Sequence, residues 1–527
     1  MHHFTPTYPN CERLGRDGLR WITIIQCDAH VPEEVFWIIA NLYVTNPEVL
    51  VPPILRADII HDSENDALIC PIGRPFFRKV ARRLISKQRR DIIVHQNVYY
   101  GTRERGCHVV FEVPDATMES LPFFIPKVRK FAYVYTQGDR DNGPPRISLE
   151  LCPFETDTDE IYKSPAMLYV YSKTLRTLHK HTNSQLNGYK KRVHHDRIIP
   201  KVTYQDRYFQ LKQKYMIWVD QWVEKTDARK HVFEEVAIAA FLILLFEDDI
   251  KALGRKPTFV DLGCGNGFLT YILNQEGFEG VGIDMTCRKS WSLFGNKANL
   301  KQECLTPDTM KFQDADWIIG DHPDELTLWV PICAARSGYK TKFVIIPCCF
   351  HRLDGGPFSI EMPLPISQRR PSSKNCNTGD CEISPFEDHT SRLSHLTHHL
   401  GSGRYSSYIT HCEKLIQLCG YIPECEFLRI PSTKNIALVG RTRRYQEEVK
   451  ASGIQCSSQE WERLVLDDIH ELTSGVLFMP RTSDHEKESL RRERMARRKD
   501  SRSIDVNGAD SSSWEVCELF QGLVNYE

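Results

Sequence analysis

The residues with the clearest chemical potential form a glycine-rich turn at Val260–Gly267, which reads Val-Asp-Leu-Gly-Cys-Gly-Asn-Gly. An apolar, strand-like run precedes this turn and a helical run follows it. Glycines let a ligand approach the backbone closely, and the amide groups at the start of the following helix would face that ligand. Asp284 ends the next strand-like run and could accept both hydroxyl groups of a ribose. The arrangement therefore predicts a site for a nucleoside-containing cofactor.

Two cofactors compete for this turn. A dinucleotide needs the pattern G-x-G-x-x-G/A, because its pyrophosphate lies at the turn. Gly263, Gly265 and Gly267 instead follow Asp261 in a D-x-G-x-G-x-G pattern, which is similar to the S-adenosylmethionine loop of Rossmann-like methyltransferases. A dinucleotide site and a purely structural turn remain the alternatives. We predict S-adenosyl-L-methionine as the cofactor, with Asp261 and the three glycines shaping the turn and Asp284 binding the ribose.

A second polar loop, Gly320–Leu326, follows another apolar, strand-like run. In doubly wound sheets the ligand lies beyond the carboxyl ends of the strands, so this loop is placed to meet the methyl-accepting atom. Asp321 and His322 are the predicted proton acceptor and its orienting partner, with Glu325 in reserve. A structural role is also open, in which Asp321 or Asp324 caps a helix. The two roles are compatible.

The elements that must position these loops are apolar strand-like runs separated by helical runs, a pattern that indicates a parallel sheet covered on both faces. A closing hairpin is predicted at ECEFLRIPSTKNIALVGRTR. The predicted fold class is α/β, a Rossmann-like methyltransferase domain with an N-terminal α+β region. The predicted organisation is an α+β region at 1–170, a basic and aromatic connecting segment at 171–229, the Rossmann-like domain at 230–445 with a flexible insertion at 352–404, and a charged helix with a disordered tail at 446–527.

Two segments are strongly basic, although the whole chain has a net charge of only −1. Eight basic residues and no acid lie between Arg74 and Arg90, where apolar residues at helical spacing predict a basic helix. Residues 171–215 carry eleven Lys or Arg against two acids, with six interleaved aromatic residues. Phosphate contacts and base stacking would use such a segment. A solvated helical face with tyrosines packed beneath it would have the same composition, so both interpretations stay open.

Composition excludes several other classes of protein. The longest apolar run, Val236–Phe246, has 11 residues, and a membrane span needs about 20. The start of the chain shows no apolar signal core. The 18 cysteines are scattered along the chain, which favours free thiols in a reducing compartment and a cytoplasmic location.

Strands with polar turns, RKFAYVY and RISLELCPF, predict a hairpin in the N-terminal region.

No metal site is predicted. Cys376 and Cys381 lie near four histidines, but no second tight pair of ligands accompanies them. Cys348 and Cys349 follow a strand-like run, and small core residues are a more typical interpretation for them than nucleophiles.

Several segments together resemble the eukaryotic tRNA (uracil-2′-O-)-methyltransferase family that modifies serine tRNA. They run in the family's order from Asn187 to Arg444: NGYKKRVHHDRIIP, KHVFEEVAIAAFLILLFE, FVDLGCGNGFLTYIL, GVGIDMTCRKSW, DWIIGDHPDELTLWVPICAARS, FVIIPCCF and LRIPSTKNIALVGRTR. The chain departs from the pattern at Asp321 and Pro323, where the family has Asn and Ser, and it shows no C-terminal Cys/His zinc finger.

The resemblance implies transfer of a methyl group from S-adenosylmethionine to the ribose 2′-hydroxyl of a uridine in serine tRNA. Lys190, Lys191 and Arg192 are then the best-placed RNA contacts. Arg288 and Lys289, just after the ribose-binding acid, would reach either phosphate or solvent. A non-catalytic RNA-binding scaffold and a methyltransferase for a protein or a small molecule are the alternatives. No membrane contact is predicted, and the sequence leaves protein partners unknown.

Overall fold

The structure is a computed structural model. It describes nine stretches of the chain: 3–15, 18–63, 76–87, 93–139, 143–154, 163–189, 195–360, 403–444 and 457–479. It divides into two units, Met1–Lys190 and Lys191–Glu527. Among the helices of the described stretches, none is both long enough and apolar enough to cross a bilayer.

The first unit is an antiparallel sheet with two long helices, α1 and α2, packed in its main core. The strand order is β1-β3-β9-β8-β7-β6-β5-β4, and β2 pairs with β3. The predicted hairpin is confirmed as β8 and β9, paired from Lys130↔Cys152 to Thr136↔Arg146. The elements are β1 Pro6–Thr7, β2 Cys11–Leu14, β3 Arg20–Asp28, α1 Glu33–Thr45, β4 Ile54–Asp62, β5 Phe76–Ser86, β6 Ile93–Arg103, β7 Gly106–Glu112, β8 Lys130–Thr136, β9 Arg146–Cys152 and α2 Pro165–Leu186.

The predicted basic helix between Arg74 and Arg90 is wrong, because Phe76–Ser86 forms strand β5 between β4 and β6. Val80, Arg82 and Leu84 are buried at alternate positions, as one face of a strand requires. The Arg82 guanidinium donates to the side chain of Gln96 and to the last carbonyl groups of α1. Because the charged residue Arg82 occupies one of these inward positions, the alternation of apolar and polar residues that marks a strand could not be recognised in the sequence.

The second unit is built on a seven-stranded sheet with the order β12-β11-β10-β13-β14-β16-β15. The first five strands in this order are parallel, and β16 runs antiparallel to both of its neighbours. The strands are β10 Phe259–Leu262, β11 Gly280–Asp284, β12 Leu300–Gln302, β13 Trp317–Asp321, β14 Lys342–Ile346, β15 Tyr421–Phe427 and β16 Ile436–Arg443. The predicted parallel sheet and its closing hairpin are confirmed.

Helices cover both faces of this sheet. One buried cluster includes residues of α3, α4, α5 and α6, and the other includes residues of α7, α8 and α9. The sequence produces this because the central strands β10, β13 and β14 are buried along almost their whole length, so neither face can be left to water. The helices are α3 Lys201–Tyr215, α4 Ala228–Leu253, α5 Phe268–Gln275, α6 Lys289–Phe294, α7 Trp329–Ser337, α8 Arg404–Leu418 and α9 Ser458–Thr473.

The segment boundaries in the structure differ from those expected from composition. Residues 171–229 are shared between the units, since α2 packs in the first and α3 in the second. Helix α9, which follows residue 445, packs on the second unit through Val465 and Ile469. The start of the expected insertion also packs there, where Trp329 donates to the carbonyl of Leu353 at 2.8 Å. The rest of that insertion, 361–402, and the charged stretch after 480 lie outside the described residues.

A buried carboxylate in β15 anchors the chain just before α3. Glu426 is 4% exposed, and it accepts hydrogen bonds from the backbone N–H groups of residues 196–199 at 2.8–3.4 Å. Arg429 adds an ion pair to Asp196 at 2.6 Å. Four amides that would otherwise be unsatisfied are thereby fixed by one side chain.

Candidate active site

The glycine-rich turn connects β10 to α5 with its glycines in the left-handed region. Gly263, Gly265 and Gly267 have φ values of +76°, +53° and +74°, which side chains rarely adopt. A Cβ on Gly265 would meet nothing closer than 3.9 Å, whereas one on Gly267 would lie 2.8 Å from Leu300. The turn is therefore open above Gly265 and tightly packed at Gly267, as a loop that receives a ligand on one side requires.

Asp284, at the end of β11, is bonded directly to this turn. Its Oδ2 accepts from the N–H of Gly265 at 3.0 Å and its Oδ1 accepts from the N–H of Thr286 at 2.8 Å. From helix α6, the Trp291 indole donates to the carbonyl of Gly265 at 3.0 Å. The carboxylate predicted to bind the ribose is thus held in a fixed position, half-buried, beside the open face of the turn.

Asp261 lies beneath the turn and is 1% exposed. Its Oδ2 accepts from the hydroxyl of Thr270 at 2.8 Å, while its Oδ1 finds no hydrogen-bond partner among the described residues. Burial, with the nearby charge of Asp321, raises the pKa of Asp261 to about 8. A buried carboxylate oxygen without a donor is costly unless a ligand supplies one.

Asp321 and His322 lie at the end of β13, the neighbour of β10. The Asp321 side chain is 7% exposed, and its Oδ1 is 3.8 Å from Nε2 of His322. The same imidazole nitrogen is 3.8 Å from Glu234 Oε1. His322 has φ +50°, a strained value for a non-glycine residue. Burial disfavours the imidazolium, but the surrounding carboxylates outweigh it and raise the pKa of His322 to about 9.

Two acids of α4 complete the cluster, and sequence reasoning missed them. Glu235 is hydrogen-bonded to Asp321 and accepts from the Asn266 side chain at 3.2 Å. Burial, reinforced by the charge of Asp321, holds the pKa of Glu235 well above its usual range. Burial also raises the pKa of Asp321, although His322 and the hydrogen bond from Glu235 oppose that. The two carboxyl groups therefore titrate as a pair and not as independent acids.

A signal for these two residues was present in the sequence. Glu234 and Glu235 interrupt a helix that is apolar over most of its length, and a buried acid normally needs a partner. The pattern of α4 alone places these two acids at the polar end of the helix. It cannot show that they are buried, because their partners come from β13 and the glycine turn.

The cluster fits an S-adenosylmethionine cofactor. Oxygens of Asp261, Glu235 and Asp321 are buried without an N–H or hydroxyl donor among the described residues. Buried oxygens without a donor call for a ligand that brings N–H groups, and the amino-acid end of S-adenosylmethionine has an ammonium group. The open face above Gly265 and the carboxylate of Asp284 then provide for the nucleoside end.

Comparison with known proteins gives a family model for each of the two units. Residues 3–192 match the family model described as "TRM44-like, N-terminal bet v1-like domain", and residues 198–307 match "Predicted AdoMet-dependent methyltransferase". A tRNA (uracil-O(2)-)-methyltransferase of Neurospora crassa is 32% identical over 78% of this chain and 84% of its own length. The chain belongs to the tRNA (uracil-O(2)-)-methyltransferase family.

Further relatives have the same name. The Schizosaccharomyces pombe tRNA (uracil-O(2)-)-methyltransferase is 31% identical over 81% of this chain and 86% of its own length. A human protein named "Probable tRNA (uracil-O(2)-)-methyltransferase" is 37% identical, over 48% of this chain and 29% of its own length. Membership of the family confirms the predicted fold class, the predicted enzyme class and S-adenosylmethionine as the cofactor.

The other predicted site residues of this family member are less closely grouped. Glu325 lies in the short turn Asp324–Leu326, just beyond His322. Arg288 and Lys289 lie where α6 begins, after Asp284, the acid predicted to bind the ribose. Lys190, Lys191 and Arg192 lie outside the described residues. In the basic block, the aromatic residues Tyr171, Tyr204 and Tyr215 are buried, so for these three the packed interpretation is confirmed.

Cys348 and Cys349 are half-buried at the end of β14. Burial raises the pKa of Cys348 to about 11 and that of Cys349 to about 12. Because the thiolate is the nucleophilic form, these values disfavour a nucleophilic role.

Proposed function

We propose that this enzyme transfers a methyl group from S-adenosylmethionine to the ribose 2′-hydroxyl of a uridine in tRNA, with serine tRNA as its substrate. The observation that carries the proposal is the buried group formed by Asp321, His322 and Glu235, which meets the cofactor turn at the carboxyl edge of the sheet. The names of the relatives supply the nucleotide. The serine tRNA species comes from the segments that resemble the family.

The chemistry requires the new bond to form from the ribose oxygen to the methyl carbon while the carbon–sulfur bond breaks. When bound, the cofactor supplies the methyl group and retains the electron pair of that bond on sulfur. Asp321 would accept the hydroxyl proton, a contribution of about 10²–10⁴-fold to the rate. Glu235 and His322 orient the Asp321 carboxylate from two sides, and the apolar strands around it exclude water. Fixed positioning of both reactants contributes further.

One assay tests the proposal. Purified full-length enzyme is incubated with tritiated S-adenosylmethionine and total tRNA, and the labelled nucleotide is mapped after nuclease digestion. We expect label in one uridine of serine tRNA, at a linkage that resists alkaline cleavage because the 2′-hydroxyl is blocked. Label in protein or small molecules would favour the other methyltransferase class. A chain that binds tRNA without transferring label would favour the scaffold.

We expect tRNA binding to depend on the basic triplet Lys190, Lys191 and Arg192. Replacing all three with Ala removes three cations that can neutralise phosphates. The affinity for tRNA should therefore fall, whatever the nucleotide sequence of the tRNA. The slope of log K against log salt concentration should flatten by about one for each phosphate that the variant no longer neutralises. Filter binding or fluorescence anisotropy across a salt series measures both effects.

A matched control removes the same number of positive charges from the edge of the seven-stranded sheet that lies away from the cofactor turn. Three exposed lysines lie there, near the amino ends of the strands: Lys251, Lys311 and Lys340. Their triple Ala variant should keep the wild-type salt slope. If the basic-triplet variant also keeps it, the RNA path does not use that triplet.

We also propose a cytoplasmic location. The cysteines of the described residues are free thiols, as a reducing compartment would maintain them.

A further inference from the structure

A cluster of two thiols and a carboxylate lies beside the acceptor loop. Cys348 Sγ is 3.5 Å from Asp324 Oδ1 and 3.5 Å from Cys349 Sγ. One ligand atom from each of the three residues lies within 4.8 Å of the other two. All three residues are half-buried, so solvent can reach the group. We call these three residues the thiol–carboxylate cluster.

The cluster is held by two neighbouring parallel strands. Asp324 follows β13, and the two cysteines follow β14, whose Ile346 pairs with Asp321. Asp324 has φ +44°, and its carbonyl accepts from the hydroxyl of Thr327 at 2.8 Å, which fixes the turn. Lys434 donates to the carbonyl of Cys348 at 2.5 Å. The backbone at Asp324 and at Cys348 is therefore fixed by contacts to its carbonyl groups.

The distances match the edges of a zinc coordination tetrahedron. With Zn–S near 2.3 Å and Zn–O near 2.1 Å, a tetrahedron has sulfur–sulfur edges of about 3.8 Å and sulfur–oxygen edges of about 3.6 Å. Both measured separations, 3.5 Å, are within roughly 0.3 Å of those edges. Two sulfur ligands select zinc over magnesium or calcium, which prefer oxygen.

We propose that Asp324, Cys348 and Cys349 bind one Zn²⁺. Each thiol releases its proton to solvent as its sulfur binds the ion, and the carboxylate binds through one oxygen. Three protein ligands leave the fourth position for water or another ligand. The ion would join the acceptor loop, which carries Asp321 and His322, to the end of β14. The zinc site does not depend on the proposed RNA substrate.

The test measures metal bound to the full-length chain. The protein is stripped with a chelator, reloaded with Zn²⁺, desalted and analysed by mass spectrometry for zinc. We expect the wild-type chain to hold one more equivalent than the Cys348→Ser/Cys349→Ser variant. Loading with Co²⁺ instead should give a sulfur-to-cobalt absorption band in the wild-type chain that the double variant lacks. Wild-type protein without zinc, or a double variant that retains all of it, would overturn the proposal.

Two further variants distinguish this site from a zinc site elsewhere in the chain. Cys376→Ser/Cys381→Ser removes the cysteine pair of the 352–404 segment, and this variant should still bind the equivalent of zinc. If zinc leaves with that pair and stays with Cys348→Ser/Cys349→Ser, the proposed site is wrong. Asp324→Asn keeps the size of the side chain, and should lower zinc affinity at least tenfold while thermal unfolding shows a folded chain. An unchanged affinity in that variant would exclude the carboxylate as a ligand.

Discussion

Replacing Asp284 with Ala should raise the dissociation constant for S-adenosylmethionine by roughly 10²-fold or more. A hydrogen bond to a charged group contributes about 1.5–3 kcal/mol, and this carboxylate is placed to accept from two ribose hydroxyl groups. The change also removes the acceptor for the N–H groups of Gly265 and Thr286, which hold the turn. Calorimetric titration with S-adenosylhomocysteine measures the effect without requiring turnover.

Two variants control this experiment. Asp284→Asn keeps one acceptor oxygen but loses the charge, so its dissociation constant should lie between those of the wild type and the Ala variant. Asp314→Ala removes an exposed acid at the opposite edge of the sheet and should bind normally. A wild-type dissociation constant in Asp284→Ala would contradict the assignment of the cofactor site.

Replacing Asp321 with Ala should lower kcat by about 10²–10⁴-fold, because the variant has no side-chain group at this position to accept the hydroxyl proton. Asp321 belongs to the acceptor loop and not to the glycine-rich turn, so the dissociation constant for S-adenosylmethionine should change much less than kcat. Single-turnover transfer of labelled methyl to tRNA, measured with saturating cofactor, isolates the chemical step. His322→Ala should also slow this step, because the imidazole no longer orients the carboxylate.

Glu235 offers a matched pair of variants for the same site. Glu235→Gln keeps an acceptor for Asn266 and a donor for Asp321, so kcat should remain near the wild-type value. Glu235→Leu keeps the bulk but removes both hydrogen bonds, and kcat should fall. Full turnover in both Asp321→Ala and His322→Ala, with normal cofactor binding, would show that the proton acceptor lies elsewhere. Glu325→Gln would then be the next variant to measure.

The cofactor turn could be predicted because its signal is local. Asp261, the three glycines and Asp284 are fixed by strand, turn and helix patterns within a short stretch of chain, and each pattern reflects a backbone requirement. The closing hairpin was predictable for the same reason, from two alternating runs and a polar turn.

The features that were missed depend on contacts between distant parts of the chain. Glu235 acts only through Asp321 and Asn266, which reach it from a different strand and a different turn. Arg82 is buried only because Gln96 and the end of α1 satisfy its donors. Helix α9 buries just Val465 and Ile469, so its pattern was too sparse to distinguish it from a charged tail. In each case the partner, rather than the residue type, decides the structure.

The Glu426 anchor has a consequence for the order in which the chain acquires its shape. Its carboxylate belongs to β15 and holds the amide of Ile198, 228 positions earlier. During synthesis the stretch before α3 therefore leaves the ribosome long before its acceptor exists, and a shortened chain ending ahead of β15 would never supply one. Residues 196–199, which lead into α3, can therefore be fixed only after the chain has been synthesised through β15.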